Sequence, residues 1–365
     1  MTRLSELPLR DDLRGQQPYG APQLPHAVQL NVNENPHPPS AALVADLAAA
    51  CATAGASLHR YPDREALELR TRLAAYLSTT AAPAALGAEQ VWAANGSNEV
   101  LQQLLLAFGG TGRTALGFEP SYSMHRIIST GTGTRWVAAR RAEDFTLSPE
   151  AAVAAVAEHR PDVTFLTSPN NPTGGALAPR VVSAVLDAAP GMVVVDEAYA
   201  EFGSARSALE LLPGHPRLVV TRTMSKAFAM AGARVGYLAA DAAVVDALRL
   251  VRLPYHLSAL TQAAALVALD HVEELLATVG AVVEQRRRIE RELVALGLRT
   301  VPTESNFLLF GPFADPSAVW QRLLDAGVLV RDVSAGEGLA GWLRVSAGTE
   351  TETTEFLAAM EKVLA

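Results

Sequence analysis

Of the 30 basic residues in this chain only Lys226 and Lys362 are lysines; the rest are arginines. Arginine replaces lysine readily on a solvated surface, but its guanidinium stays protonated and cannot act as an amine nucleophile. Lys362 has an ordinary explanation, because it lies three residues from the end of the amphipathic segment TEFLAAMEKVLA, where a cation complements a helix dipole. Lys226 has no such explanation. It stands in TRTMSKAFAMAGARVGYL, after an apolar run and before Gly232, Arg234 and Gly236. An amine with a reference pKa of ~10.4 must lose its proton before it attacks a carbonyl, which requires a partly buried site near other cations. The apolar flanks offer burial, while Arg234 and the Ser225 hydroxyl offer positive charge and a grip on a phosphate. Taken alone, the segment also fits a stray surface lysine near an arginine.

Four other segments carry polar groups directly after apolar runs. In VVVDEAYAEF, Asp196 ends a strand-like run, where an ionised acid needs a buried cationic partner, and a pyridinium nitrogen is one. Tyr199, three residues on, can give its hydroxyl to the phenolate oxygen of such a ring. Helix N-capping is the plain alternative for Asp196. In LTSPNNPTGG, Pro172 and Gly174 make a tight turn, and Asn171 before the proline is pushed towards extended backbone that presents its amide outward. In ANGSNEVLQQLLLAF, Gly96, Ser97 and Asn98 open a helix and expose backbone N–H groups suited to a phosphate. In FEPSYSMH, Tyr122 is placed to stack on an aromatic ring. An ordinary turn, a weak strand-to-helix junction and a core tyrosine are the plain alternatives for these three.

The elements that must position these groups are legible as a rhythm. Apolar runs at 91–94, 113–118, 162–167, 192–198, 217–223 and 234–240 alternate with helical patterns from about Ala41 to residue 270. That alternation predicts an α/β fold with a largely parallel sheet flanked by helices, with ligands at the carboxyl ends of its strands. Residues 1–40, rich in Pro, Asn and Gly, read as an N-terminal arm, 41–270 as a large domain, and 271–365 as a smaller α+β domain on which the arm packs. In the last unit a long helical stretch from 272 leads to strand candidates at 306–310, 328–333 and 341–348. A chain of 365 residues, 49% hydrophobic, can bury such a core. A formal net charge of −8 without a basic run excludes a phosphate-backbone tracker, so no nucleic-acid partner is expected. No stretch reaches ~18 uninterrupted apolar residues and the first residues lack a signal-peptide core, so we expect a cytoplasmic protein without a membrane partner. The single cysteine, Cys51, excludes an internal disulfide and multi-cysteine metal sites, leaving no metal expected; it reads as a small buried apolar residue.

In order and spacing, Gly96-Ser97-Asn98-Glu99, Pro120-Ser121-Tyr122, Asn170-Asn171-Pro172-Thr173-Gly174, Asp196-Glu197-Ala198-Tyr199 and Ser225-Lys226 with Arg234 resemble the fold-type I pyridoxal-phosphate aminotransferases. The resemblance covers nearly the whole chain. It implies pyridoxal 5'-phosphate as cofactor, held by Lys226 as an imine, with Asp196 at the pyridinium, Asn171 and Tyr199 at the phenolate oxygen and Tyr122 stacked on the ring. Gly96, Ser97, Asn98, Ser225 and Arg234 would hold the phosphate. Within that group, LRDDLRGQQPYGAPQ, LNVNENPHPPS, HRYPD, PSYSMHRIIS, VRLPYHLSALTQAAA and VLVRDV followed by GWLRVSAGT are similar to the histidinol-phosphate aminotransferases of the actinobacterial kind. That likeness implies transfer of an amino group between histidinol phosphate and 2-oxoglutarate, with Lys226 also moving the Cα proton. It further implies a homodimer in which Tyr61 reaches the neighbouring subunit's cofactor phosphate, Arg331 and Arg344 meet the substrates' anionic ends, and Tyr19 and Asn33 lie near the substrate side chain. Asn98 departs from the pattern, since many relatives carry Asp there. An aromatic amino acid aminotransferase, a decarboxylase or lyase on the same cofactor, and a non-catalytic regulator stay open as alternatives.

Overall fold

The computed structural model describes residues 6–15, 20, 22–24, 28–80 and 85–365. Its strands are β1 Val28–Gln29, β2 Val91–Ala94, β3 Thr114–Glu119, β4 Arg135–Arg140, β5 Val163–Thr167, β6 Met192–Asp196, β7 Leu218–Thr223, β8 Gly236–Ala240, β9 Arg299–Thr300, β10 Phe307–Gly311, β11 Val328–Leu329, β12 Arg331–Asp332 and β13 Leu343–Ser346. Its α-helices are α1 Ala41–Gly55, α2 Leu67–Thr80, α3 Ser97–Phe108, α4 Ser123–Gly131, α5 Pro149–His159, α6 Pro179–Ala188, α7 Ala242–Val251, α8 Ala259–Asp270, α9 Val272–Ala295, α10 Pro316–Asp325 and α11 Glu350–Leu364.

Seven strands form the central sheet in the order β2-β8-β7-β6-β5-β3-β4. β4, β3, β5, β6 and β7 run parallel, while β8 lies antiparallel to both β7 and β2. β5, β6 and β7 are buried at every position, as a sheet covered by helices on both faces requires. Their side chains alternate between two apolar layers. Val193 and Val195 enter the layer shared with Leu73, Val185 and Phe228, whereas Val194 enters the layer shared with Trp92, Leu104 and Val245. The architecture is the expected α/β one, largely parallel and flanked by helices.

Because β3, β5, β6 and β7 are parallel, their last residues Glu119, Thr167, Asp196 and Thr223 emerge at one edge, where ligands bind in open α/β sheets. The smaller antiparallel sheet has the order β12-β13-β10-β9. β1 pairs in parallel with β11, Val28 opposite Val328, and so carries residues 30–35 across the carboxyl edge of the large sheet. On this pairing we propose that the arm ending at residue 40 belongs with a smaller unit of residues 271–365, beside a larger unit of 41–270. Helix α1 begins at Ala41 because the Ser40 hydroxyl accepts the Leu43 N–H at 3.1 Å.

Three details differ from expectation. β4 was not anticipated: at the sheet edge, RWVAAR is buried at no position, and exposed arginines flank its apolar centre WVAA. The run 328–333 divides into β11 and β12, because Val328 and Leu329 pair with β1 while Arg331 and Asp332 pair with β13. Cys51 on α1 is half-buried rather than sealed in the core.

Candidate active site

Lys226 follows β7 on a turn fixed by Thr223, whose Oγ1 accepts the Ser225 N–H at 3.1 Å. Its Nζ donates to the Val32 carbonyl at 3.1 Å, a group delivered by the β1–β11 pairing, and lies 5.8 Å from the centre of the Tyr199 ring. Burial first, then the guanidinium of Arg344 and more weakly that of Arg234, against an opposing pull from Glu34, together lower the pKa of this amine to about 8. The amine is thus far easier to deprotonate than a surface lysine.

Asp196, 2% exposed, ends β6. One carboxylate oxygen accepts the Ala198 N–H at 3.2 Å, and the other lies 3.0 Å from Nε2 of His125. A carboxylate only accepts, so the His125 Nε2–H donates. His125 is 1% exposed on α4, its ring stacked on Phe165 at 4.7 Å and set edge-on to Tyr122 at 5.4 Å. This histidine was not singled out in the sequence; its sole signal was its place three residues after Tyr122 in PSYSMH.

A continuous polar chain runs along the other side. Arg344 Nη1 donates to Asn171 Oδ1 at 2.6 Å, Asn171 Nδ2 reaches the Tyr199 hydroxyl at 3.5 Å, and Asn33 Nδ2 donates to that hydroxyl at 3.0 Å. Asn33 adopts a φ of 58°, held there by its N–H donating to Ser346 Oγ at 2.9 Å and its Oδ1 accepting from the same hydroxyl at 3.0 Å. Arg344 Nη2 donates to the Asn31 carbonyl at 2.8 Å, and its guanidinium lies over the Phe307 ring at 5.1 Å. Arg331 is directly opposite Arg344 across β12 and β13. Like charges opposite one another in a sheet repel. Both arginines line the same cavity, an arrangement that could seat an anion. Arg331 also donates to the Gly20 carbonyl at 3.3 Å.

At the far end α3 starts without a side-chain cap after Gly96, whose φ is 85°. A Cβ at Gly96 would lie 2.6 Å from Arg234 Nη2, and one at Gly236 would lie 2.0 Å from the Ser97 nitrogen. Both glycines therefore let Arg234 and β8 close against the first turn of α3. Arg234 Nη1 donates to Ser225 Oγ at 3.4 Å, and the Tyr122 hydroxyl donates to Asn98 Oδ1 at 3.2 Å. Helix N–H groups, two serine hydroxyls and a guanidinium around a cradle that admits no Cβ are the donor set of a phosphate site. With a buried acid and a low-pKa amine in the same space, the residues fit pyridoxal phosphate.

The predicted residues other than Gly96, Tyr19 and Tyr61 line one cavity of about 760 Å³. Tyr19 lies outside the described residues. Tyr61 is 80% exposed, away from the cavity of its own chain, with its ring stacked on Tyr255 at 4.3 Å. Glu119, Arg126, Trp136 and Glu337 also line the cavity and were not anticipated.

The family profile described as aminotransferase class I and II matches residues 25–360. The chain belongs to that family. Among relatives of this aminotransferase is the histidinol-phosphate aminotransferase of Frankia casuarinae, 64% identical over 98% of this chain and 90% of its own length. That of Mycolicibacterium smegmatis is 60% identical over 98% and 93%. A crystal structure of histidinol-phosphate aminotransferase from Sinorhizobium meliloti, in complex with pyridoxal-5'-phosphate, superposes with a TM-score of 0.81 at 25% identity, covering 93% of this chain and 91% of that one. Among the described residues no helix is long and apolar enough to cross a membrane, and no group of three His, Cys, Asp or Glu could hold a metal ion.

Proposed function

We propose that this aminotransferase passes the amino group of L-histidinol phosphate to 2-oxoglutarate, giving imidazole acetol phosphate and L-glutamate in histidine biosynthesis, with pyridoxal 5'-phosphate as cofactor. The reading is carried by the convergence on one cavity of a low-pKa amine, a buried acid and a cross-strand pair of arginines. The shared name of relatives at 64% and 60% identity supports the substrate.

When bound, the cofactor supplies an electron-withdrawing ring that takes up the electron pair left at the substrate Cα. Lys226 would tether it and, once released, move the Cα proton through its Nζ. Asp196, oriented by His125 at 3.0 Å, would keep the ring nitrogen protonated. Asn171 and Tyr199 would donate to the ring oxygen, and Tyr122 would cover the ring face. Gly96, Ser97, Asn98, Ser225 and Arg234 would receive the phosphate. Arg344, with Arg331 beside it, would seat the substrate phosphate and then the carboxylate of 2-oxoglutarate in turn, because a guanidinium fork fits both anions. Asn33, and Tyr19 by motif alone, would meet the substrate side chain.

The reading includes a cytoplasmic homodimer. Tyr61, Leu250 and Leu253, exposed by 80%, 86% and 74%, leave an apolar face for a second copy, and Tyr61 would reach that copy's cofactor phosphate. Steady-state rates with histidinol phosphate, phenylalanine and tyrosine as donors and 2-oxoglutarate as acceptor test the substrate. A clear preference for histidinol phosphate is expected. A preference for phenylalanine would replace it with the aromatic amino acid reading.

A further inference from the structure

The loop from Arg60 to Ala66, which carries Tyr61, has no helix or strand of its own. Asp63 holds it locally, its carboxylate accepting the Glu65 and Leu67 N–H groups at 2.9 and 2.8 Å, and Gln262 Nε2 donates to the Asp63 carbonyl at 2.9 Å, but the carboxylate that ties it to the segment after α7 is that of Glu65. Glu65 Oε1 accepts from Arg252 Nη2 at 2.6 Å and from Arg64 Nε at 3.1 Å, and its Oε2 accepts from Arg249 Nε at 3.0 Å. Arg70 Nη1 lies 3.8 Å from Oε2. Burial pushes the Glu65 carboxyl up, but the guanidiniums, Arg252 foremost, outweigh it and hold the group below its ordinary pKa.

These arginines lead to anchored places. Arg70 donates to the Val91 and Ala88 carbonyls at 2.7 and 2.6 Å, and to the Glu65 carbonyl at 3.3 Å. Arg252 donates to the Arg64 carbonyl at 2.6 Å, and its guanidinium lies over the Trp92 ring at 5.4 Å. Tyr255, with a φ of 56°, is turned so that its ring lies nearly parallel to that of Tyr61, 12° apart. Glu65 thus joins the loop of Tyr61 to the segment of Tyr255 across 187 residues of sequence. Without it, the guanidiniums of Arg64, Arg252 and Arg249 would be left close together, Arg252 with its side chain only 7% exposed and Arg249 with Asp246 as its remaining partner. Their repulsion would splay the two segments whose rings stack.

We propose that Glu65 is a positioning residue that acts in trans, holding the loop of one subunit so that Tyr61 meets the cofactor phosphate of the other. This rests on the reading above that Tyr61 serves the partner's site. Neither residue touches the cavity of its own chain, so the effect on a given site must come from the opposite subunit.

Mixed dimers separate the two subunits' contributions. Cofactor dissociation constants are measured on apoprotein by quenching of intrinsic fluorescence, and borohydride fixation marks only sites that keep Lys226. Glu65→Gln and Tyr61→Phe homodimers should each weaken cofactor binding by about ten-fold, the loss of one charge-assisted hydrogen bond. A dimer of one Glu65→Gln subunit with one Lys226→Ala subunit should fix cofactor with normal affinity. A dimer of one unaltered subunit with one carrying both Glu65→Gln and Lys226→Ala should be weakened by about the same ten-fold. The reverse pattern would show that Glu65 acts within its own chain and would overturn the proposal, as would dissociation of the Glu65→Gln homodimer in sedimentation. If Tyr61→Phe weakens binding and Glu65→Gln does not, the proposal fails while the role of Tyr61 stands. An unchanged affinity in Tyr61→Phe removes that role itself, and the proposal with it.

Discussion

Replacing Lys226 by methionine in the cofactor-free protein removes an amine that folding places in a hostile site. Its pKa falls from the ordinary 10.5 to about 8, through burial first and the nearby Arg344 second. At about 1.4 kcal/mol per pKa unit, that difference corresponds to about 3 kcal/mol of native-state cost at neutral pH. Because the folded pKa is the lower one, the unfolded chain binds more protons between pH 8 and 10.5, so wild-type stability rises with pH across that window. Methionine has no such dependence. It also leaves the Val32 carbonyl without the 3.1 Å hydrogen bond from Nζ. That loss offsets about 1 kcal/mol. At pH 7 the apo Lys226→Met variant should therefore be more stable than apo wild type by about 2 kcal/mol. The advantage should vanish and reverse as pH rises through 8 to 10.5. Urea unfolding of both proteins at half-unit pH intervals measures this, since every other group titrates equally in the two. A stability difference that stays flat from pH 7 to 10.5 would refute the lowered pKa and the burial argument behind it.

Arg344→Ala should raise the KM for both histidinol phosphate and 2-oxoglutarate by on the order of ten- to a hundred-fold while the cofactor absorbance stays intact, because one fork serves both anions. Unchanged KM values would reject that role. His125→Phe keeps the stack on Phe165 but deprives Asp196 of its 3.0 Å partner. We expect kcat to fall by on the order of ten- to a hundred-fold with KM nearly constant, the cost of one hydrogen bond to a buried charge. An unaltered kcat would leave His125 as packing only. Gly96→Ala puts a Cβ 2.6 Å from Arg234 at a φ of 85°. Urea unfolding should register about 1–3 kcal/mol of lost stability, and equilibrium dialysis a weaker grip on the cofactor; wild-type values in both would disprove the close approach.

The parts of the site legible in the sequence are those where chemistry follows a strand within a few residues. Asn171 and Lys226 come shortly after β5 and β7, and Asp196 ends β6; all three strands are buried at every position and are visible as runs of mainly apolar and β-branched residues. Strand direction was not visible. β8 is antiparallel to both neighbours, but a buried strand has the same composition whichever way it runs. β4 escaped notice because, at the sheet edge, it is buried at no position and exposed arginines flank its apolar centre.

Contacts between distant segments were also out of reach. His125 meets Asp196 across 71 residues, and Arg344 meets Asn171 across 173. Nothing local in PSYSMH distinguishes a histidine that steadies a carboxylate from one that fills a core. The two arginines at 331 and 344 could be named as anion ligands by resemblance. Only the pairing of β12 with β13 makes them neighbours. Glu65 carried no signal at all, since its partners at 249 and 252 approach it only after α7 has packed.

Amino transfer by this site is tested most directly in a half-reaction without an acceptor. Holoprotein is mixed with L-histidinol phosphate, no 2-oxo acid is added, and imidazole acetol phosphate is counted against subunits for wild type and for Lys226→Ala. Wild type should release a single equivalent per subunit as the visible cofactor band is lost, and adding 2-oxoglutarate should restore the band; Lys226→Ala should release none. Continued turnover without an acceptor, or near-normal release from Lys226→Ala, would contradict the assignment.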